Sequence, residues 1–161
     1  MMFGLFNKKK KNTEFSVVAP VSGTLMDLTQ VNDPVFSEKM MGDGFAIVPD
    51  ESTIYAPISG RIISLPSSKH AIGIQTSDGI EVLIHIGLDT VNLNGEGFET
   101  FVKEGAQVDQ GRKLVMFDPE FMKKNNIDTT VMMIFTANYD KDIELTKEYG
   151  SKVVHNEFLM K

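Results

Sequence analysis

A chain of 161 residues with 42% hydrophobic content suits one domain with a full core, and the absence of cysteine excludes disulfides, thiolate ligands and thiol nucleophiles. No apolar run is long enough for a membrane-spanning helix. A net charge of -6, with no basic and aromatic face beyond the first dozen residues, argues against nucleic acid as a partner.

Residues 1–14 read as a flexible tail, in which Phe3, Leu5 and Phe6 precede Lys8, Lys9, Lys10 and Lys11. That order reverses a secretory signal, so the expectation is a cytoplasmic protein whose tail makes at most weak contact with an anionic membrane surface. Residues 15–161 read as a single domain. Short strand-like runs alternate there with Gly, Pro, Asn and Asp, and no helical period persists before Pro119, which predicts a mainly β protein.

An internal echo supports this. Ala19-Pro20-Val21-Ser22-Gly23-Thr24-Leu25 returns as Ala56-Pro57-Ile58-Ser59-Gly60-Arg61-Ile62, which predicts two related β units packed together. A second echo links Asp33 through Val48 to Gly105 through Val115, and the spacing of Gly105, Val108, Gly111 and Leu114 resembles the hammerhead turns of biotinyl and lipoyl domains. Units closed on one another in this way predict an antiparallel β-sandwich or flattened barrel.

Between the echoes lies the stretch from Ser68 to Val91. His70–Thr76 and Ile80–Ile86 have the length and β-branched content of strands, and Thr76-Ser77-Asp78-Gly79 supplies a turn, so a β-hairpin is expected. A turn centred between Ser77 and Asp78 sets His70 opposite His85, with Cβ atoms about 5 Å apart. A turn centred on Asp78-Gly79 sets His85 opposite Ile72 and makes the histidines diagonal neighbours. Helical turns are predicted at Phe98–Lys103, Glu120–Lys124 and Asp140–Glu148, and closing strands at Thr130–Thr136 and Lys152–Met160. His155, alternating with polar residues in the last strand, reads as an exposed strand residue and is given no role.

Two imidazoles amid Ile, Leu and Val resist protonation, because burial and mutual repulsion both lower their pKa values. Each then offers one lone pair, able to attack an electrophile or bind a metal. A structural pair, a metal site and a nucleophile all remain open on pattern alone. Gly87, just past the second strand, permits a sharp turn that would let its carbonyl accept Nδ1–H of His85 and leave Nε2 free. Asp89 and Asp33 read as turn residues or as carboxylates near the site.

His70-Ala71-Ile72-Gly73 and His85-Ile86-Gly87-Leu88-Asp89-Thr90-Val91, with Ala56-Pro57-Ile58-Ser59-Gly60 upstream and Leu93-Asn94-Gly95-Glu96-Gly97-Phe98 downstream, resemble the glucose-type enzyme IIA of the bacterial phosphoenolpyruvate:sugar phosphotransferase system. The resemblance runs from Phe15 to the C-terminus. It implies an antiparallel β-sandwich of duplicated hybrid motifs and a phosphotransferase component in which His85 takes a phosphoryl group on Nε2 from HPr. His85 would then pass it to a cysteine of a sugar permease's IIB domain. It implies that His70 steadies the phosphoryl oxygens and that Ser68, where relatives usually carry threonine, orients His70. Asp33 and Asp89 match the acidic residues facing HPr, and Val35, Phe36, Met41 and Leu83 fall where the family forms its apolar docking rim. Pro66 and Leu83 stand where some relatives carry phenylalanine.

The transfer requires no cofactor; the resemblance implies at most a zinc ion shared by His70, His85 and a partner's carboxylate, and in part of the family the unphosphorylated form regulates transporters or kinases. Two rival readings use other residues or chemistry. One is a swinging-arm carrier at Lys39, within Ser37-Glu38-Lys39-Met40-Met41, and the other a zinc hydrolase or regulator built on His70 and His85, for which no third ligand or H-E-x-x-H spacing is evident.

Overall fold

In the computed structural model the described residues are 15–161; the expected tail lies outside them. The described residues form thirteen strands, all of whose pairings are antiparallel. They are β1 (Val17–Val18), β2 (Gly23–Met26), β3 (Asp43–Pro49), β4 (Thr53–Tyr55), β5 (Gly60–Ser64), β6 (Ala71–Gln75), β7 (Glu81–Ile86), β8 (Phe98–Thr100), β9 (Gln107–Val108), β10 (Lys113–Phe117), β11 (Val131–Ala137), β12 (Lys152–Val153) and β13 (Phe158–Met160). Among the described residues two short α-helices, α1 (Pro34–Ser37) and α2 (Pro119–Lys124), each begin with proline behind a capping aspartate, Asp33 and Asp118. Neither is long and apolar enough to cross a membrane.

The main sheet has the order β12-β2-β3-β11-β7-β6-β5-β9, with β4-β10-β8 and β1-β13 as smaller sheets. The result is an open β-sandwich, not a closed barrel. Its central strands are buried on both faces. In β7, Val82, Ile84 and Ile86 enter the large core with Phe45, Ile47, Val131, Met133 and Phe135. The opposite face of these strands carries Ala46, Met132 and Ile134, which pack with Leu28, Val31, Phe36 and Leu88 in a second cluster. Burial on both faces explains the nearly uninterrupted apolar run of β11. Leu83, on the β7 face that also carries His85, packs against that second cluster.

The first echo is a structural duplication. Val18 N–H donates to Pro57 O at 2.9 Å and Tyr55 N–H donates to Pro20 O at 2.7 Å, so equivalent positions of the two copies bond each other reciprocally. The second echo is different from the one expected. Ala56 exchanges bonds with Gly111 and Arg112, and Ala19 does the same with Asn156 and Glu157; Ile62 pairs with Gly105 and Ala106 as Leu25 pairs with Gly150 and Ser151. The counterpart of residues 105–112 is therefore 150–157, not the Asp33–Val48 stretch. Sequence similarity hides this because Gly111 is matched by Asn156, which also takes a positive φ.

Other expectations are corrected by backbone pairing. Phe98–Lys103, read as a helical turn, begins as strand β8 because β10 supplies its partners, with Phe117 opposite Phe98. Asp140–Glu148 forms no helix; Thr146 bonds Leu159 O and Phe158 O through its amide and hydroxyl, tying the segment to β13. Lys152–Met160 is two short strands separated by a turn. His155 sits in that turn, half-buried, with Nδ1 2.7 Å from Glu51 Oε2 and its ring stacked on Tyr55, so it is not the exposed strand residue expected.

The duplicated glycines mark where β2 and β5 lie closest to their neighbouring strands β3 and β6. A Cβ on Gly60 would lie 2.3 Å from Gln75 O and 2.8 Å from Ile74 Cγ2, and one on Gly23 would lie 2.1 Å from Val48 O. Gly60→Ala is expected to destabilise the fold by about 1–3 kcal/mol through this overpacking, measured as a lower midpoint in urea.

Candidate functional site

The β6–β7 hairpin positions the site, in a register between the two expected. Ala71 faces His85 and Ile72 faces Ile84. The loop contains three residues. Gly79 N–H and Thr76 O close a turn at 3.0 Å, and Gly79 (φ +94) provides the left-handed residue that lets Thr76 and Ile80 resume pairing. His70 consequently stands one residue outside β6, preceded by Lys69 at φ +59, while its carbonyl still accepts Ile86 N–H at 2.8 Å. Free of strict strand alternation, its ring meets that of His85 edge-on, with centroids 4.9 Å apart and planes at 82°.

Each imidazole is held by its Nδ1. That of His85 donates to Gly87 O at 3.0 Å; a carbonyl can only accept, so Nδ1 carries the proton and Nε2 has the lone pair. That of His70 is hydrogen-bonded to Ser68 Oγ at 2.7 Å. The loop carrying Ser68 is backed by the Asn94–Gly97 turn. A Cβ on Gly95, at φ +90, would come within 2.8 Å of Ser67 O, which is why the turn needs glycine there.

Both rings are half-buried. Burial first, then the neighbouring His70, lowers the pKa of His85 to about 4, outweighing the opposing effects of the Gly87 bond and the Asp33 carboxylate. Burial also lowers that of His70. The pair is therefore neutral at pH 7, with a nucleophilic nitrogen on His85.

The remaining expected residues fall into three groups. Val35 and Met41 are exposed and Leu83 is half-buried, while Phe36, expected on the docking rim, is only 4% exposed. Its ring lies 4.8 Å from that of His85, because α1 turns it inward to the second cluster, so it walls the imidazole instead of presenting itself to a partner. Asp33 Oδ1 accepts Val35 N–H at 3.0 Å as the cap of α1, and from there its charge acts on His85. Asp89 is exposed, at φ +58, with no side-chain capping bond. Sequence reasoning missed the exposed Met40 and Val91 and the buried Thr90 and Thr130. Thr90 was visible as a hydroxyl residue within the turn-forming His85–Val91 motif.

Lys39 follows α1 at φ +57 and pairs with Asp43 at 3.4 Å, so it is not at the tip of a hammerhead turn as a swinging arm requires. Among the described residues no three His, Asp or Glu side chains gather as a metal site. A cleft of about 520 Å³ beside α2 and another of about 1110 Å³ near Tyr139 are lined by neither histidine.

The molecule is thus an antiparallel β-sandwich that carries a neutral histidine, tethered through Nδ1, beside a second imidazole. The family model described as phosphoenolpyruvate-dependent sugar phosphotransferase system, EIIA 1, matches residues 15–141, and the chain belongs to that family. Membership carries the role of phosphoryl carrier within that transport system. The glucose-specific EIIA component of Halalkalibacterium halodurans is 48% identical over 145 residues, 87% of this chain and 83% of that protein. The glucosamine-specific EIICBA component of Bacillus subtilis is 44% identical over 135 residues, 84% of this chain but 21% of that longer protein. The solved structure of glucose permease IIA from Mycoplasma capricolum superposes with a TM-score of 0.84 at 42% identity, covering 98% of both chains.

The lowered pKa of His85 has a consequence for stability. Between about pH 4 and 6.5 the unfolded chain binds a proton that native His85 refuses, so this contribution is complete above pH 6.5 and is lost as pH falls through that window. Urea unfolding of His85→Gln across this range should show a shallower dependence on pH, by up to about 1.4 kcal/mol per unit.

Proposed function

We propose that His85 is the phosphoryl acceptor and donor of this carrier, working through Nε2 at the cytoplasmic side of a sugar permease. The observation that carries the reading is the Nδ1–H bond of His85 to the Gly87 carbonyl beside a second, separately anchored imidazole. In the forward step the lone pair of His85 Nε2 attacks the phosphorus of phospho-HPr. The new P–N bond forms as the old one breaks, and the departing electron pair stays on the HPr imidazole. Onward transfer exchanges this P–N bond for a P–S bond to a thiolate of the IIB domain.

Through a loose, metaphosphate-like transition state the protein's task is alignment and stabilisation of the equatorial oxygens. His70 fits the second task. With Nδ1 accepting the Ser68 hydroxyl proton, its Nε2–H becomes a donor for a phosphoryl oxygen, giving the two rings opposite tautomers. No metal is needed for this chemistry. Val35, Met40, Met41 and Val91 provide apolar surface for a docked partner, which would keep water from the P–N bond, while Asp33 and Asp89 offer charge to a basic partner.

Incubation with labelled phosphoenolpyruvate, enzyme I and HPr should place one acid-labile phosphate on the wild-type chain and none on His85→Ala; equal labelling of the two would end the assignment. His70→Ala is expected to accept phosphate at a reduced level yet lose most of its onward transfer to IIB, roughly a hundredfold in rate. Single-turnover transfer from the purified phosphoprotein checks this.

A further inference from the structure

The carbonyl that orients His85 is itself held by groups that take no part in the chemistry. Strands β7 and β11 pair Met132 with His85 and Val131 with Ile86, so the next pair outward is Gly87 with Thr130. Gly87 N–H donates to Thr130 O at 2.8 Å, and an uninterrupted antiparallel ladder would return a bond from Thr130 N–H to Gly87 O. That amide instead donates to Asp128 Oδ1 at 2.9 Å, and the Thr130 hydroxyl donates to the same oxygen at 2.7 Å. The ladder stops, and the Gly87 carbonyl receives Nδ1–H of His85.

Thr90 secures the preceding peptide. Its hydroxyl, on a residue 1% exposed, donates to Ile86 O at 2.6 Å. Ile86 O and Gly87 N belong to one peptide plane, Gly87 O and Leu88 N to the next, and Leu88 N–H donates to Asp128 O at 2.9 Å. All four polar ends of two successive planes are occupied. Packing reinforces this, since a Cβ on Gly87, at φ +80, would lie 2.6 Å from Thr90 Cγ2 and 2.9 Å from Asp128 O.

We propose that Asp128 and Thr90 are positioning residues for phosphoryl transfer: Asp128 diverts the Thr130 amide from the Gly87 carbonyl and Thr90 locks the adjoining peptide, so the carbonyl stays aimed at His85. The imidazole is thereby kept as the Nδ1–H tautomer with Nε2 outward. This rests on His85 being the phosphoryl acceptor, but its first readout does not depend on transfer.

The test combines long-range proton–nitrogen spectra of the ¹⁵N-labelled His85 ring at neutral pH with the initial rate of labelling by phospho-HPr. Thr90→Val keeps the shape of threonine without its donor, and Asp128→Ala removes the diverting oxygen. Each should convert His85 from one tautomer to a mixture and slow labelling at least about tenfold, as expected for a misaligned or wrongly protonated imidazole. Thr90→Ser and Asp128→Asn, which keep the hydroxyl and the oxygen, should restore both readouts. If Thr90→Val does not fold, Asp128→Ala at an exposed residue carries the test alone. Folded variants with an unchanged tautomer and an unchanged rate would overturn the proposal. A wild-type chain with the Nδ1–H tautomer but no label on His85 would instead remove the acceptor reading, and with it the transfer role of these two residues.

Discussion

The bond from His85 Nδ1–H to the Gly87 carbonyl, 3.0 Å long, is the constraint around which the site is arranged. A neutral imidazole has one donor and one acceptor nitrogen, so tethering the first determines what the second can do. The same bond favours the charged ring, as does Asp33, yet burial and the adjacent His70 prevail and the pKa falls to about 4. Orientation and neutrality are thus supplied by different groups, and neither is obtained at the expense of the other.

A histidine on a sheet face shared with Ala46, Met132 and Ile134, and walled by Phe36 of α1, needs a rigid platform. The duplicated architecture provides it. β11 and β7 lie at the middle of the eight-stranded sheet, each flanked on both edges, and their opposite faces contact two separate clusters of apolar side chains. Displacing β7 would disturb both.

Much of this arrangement was legible in the residues. Apolar runs flanking Thr76–Gly79 marked the hairpin, the repeated Ala-Pro-x-Ser-Gly segment marked the duplication, and Gly87 after His85 marked the tether. The register was not, because Gly79 at φ +94 forms a three-residue loop that shifts the pairing by one. Nor was the route by which the rings meet: Lys69 adopts a left-handed conformation that nothing in a lysine announces. Asn156 standing for Gly111 concealed the second repeat, and long-range pairing with β10 and β13 overrode the local helical preference of residues 98–103 and 140–148. Phe36 was recognisable as an apolar site residue, but only its contact with His85 shows that it points inward.

The central claim is that one particular nitrogen, Nε2 of His85, is left open by the tether on the other. Nitrogen–phosphorus coupling in the ¹⁵N-histidine-labelled phosphoprotein tests it directly. The account predicts a single coupled phosphorus on Nε2 of His85 with the proton still on Nδ1; coupling to Nδ1 of that ring, or to His70, would contradict it.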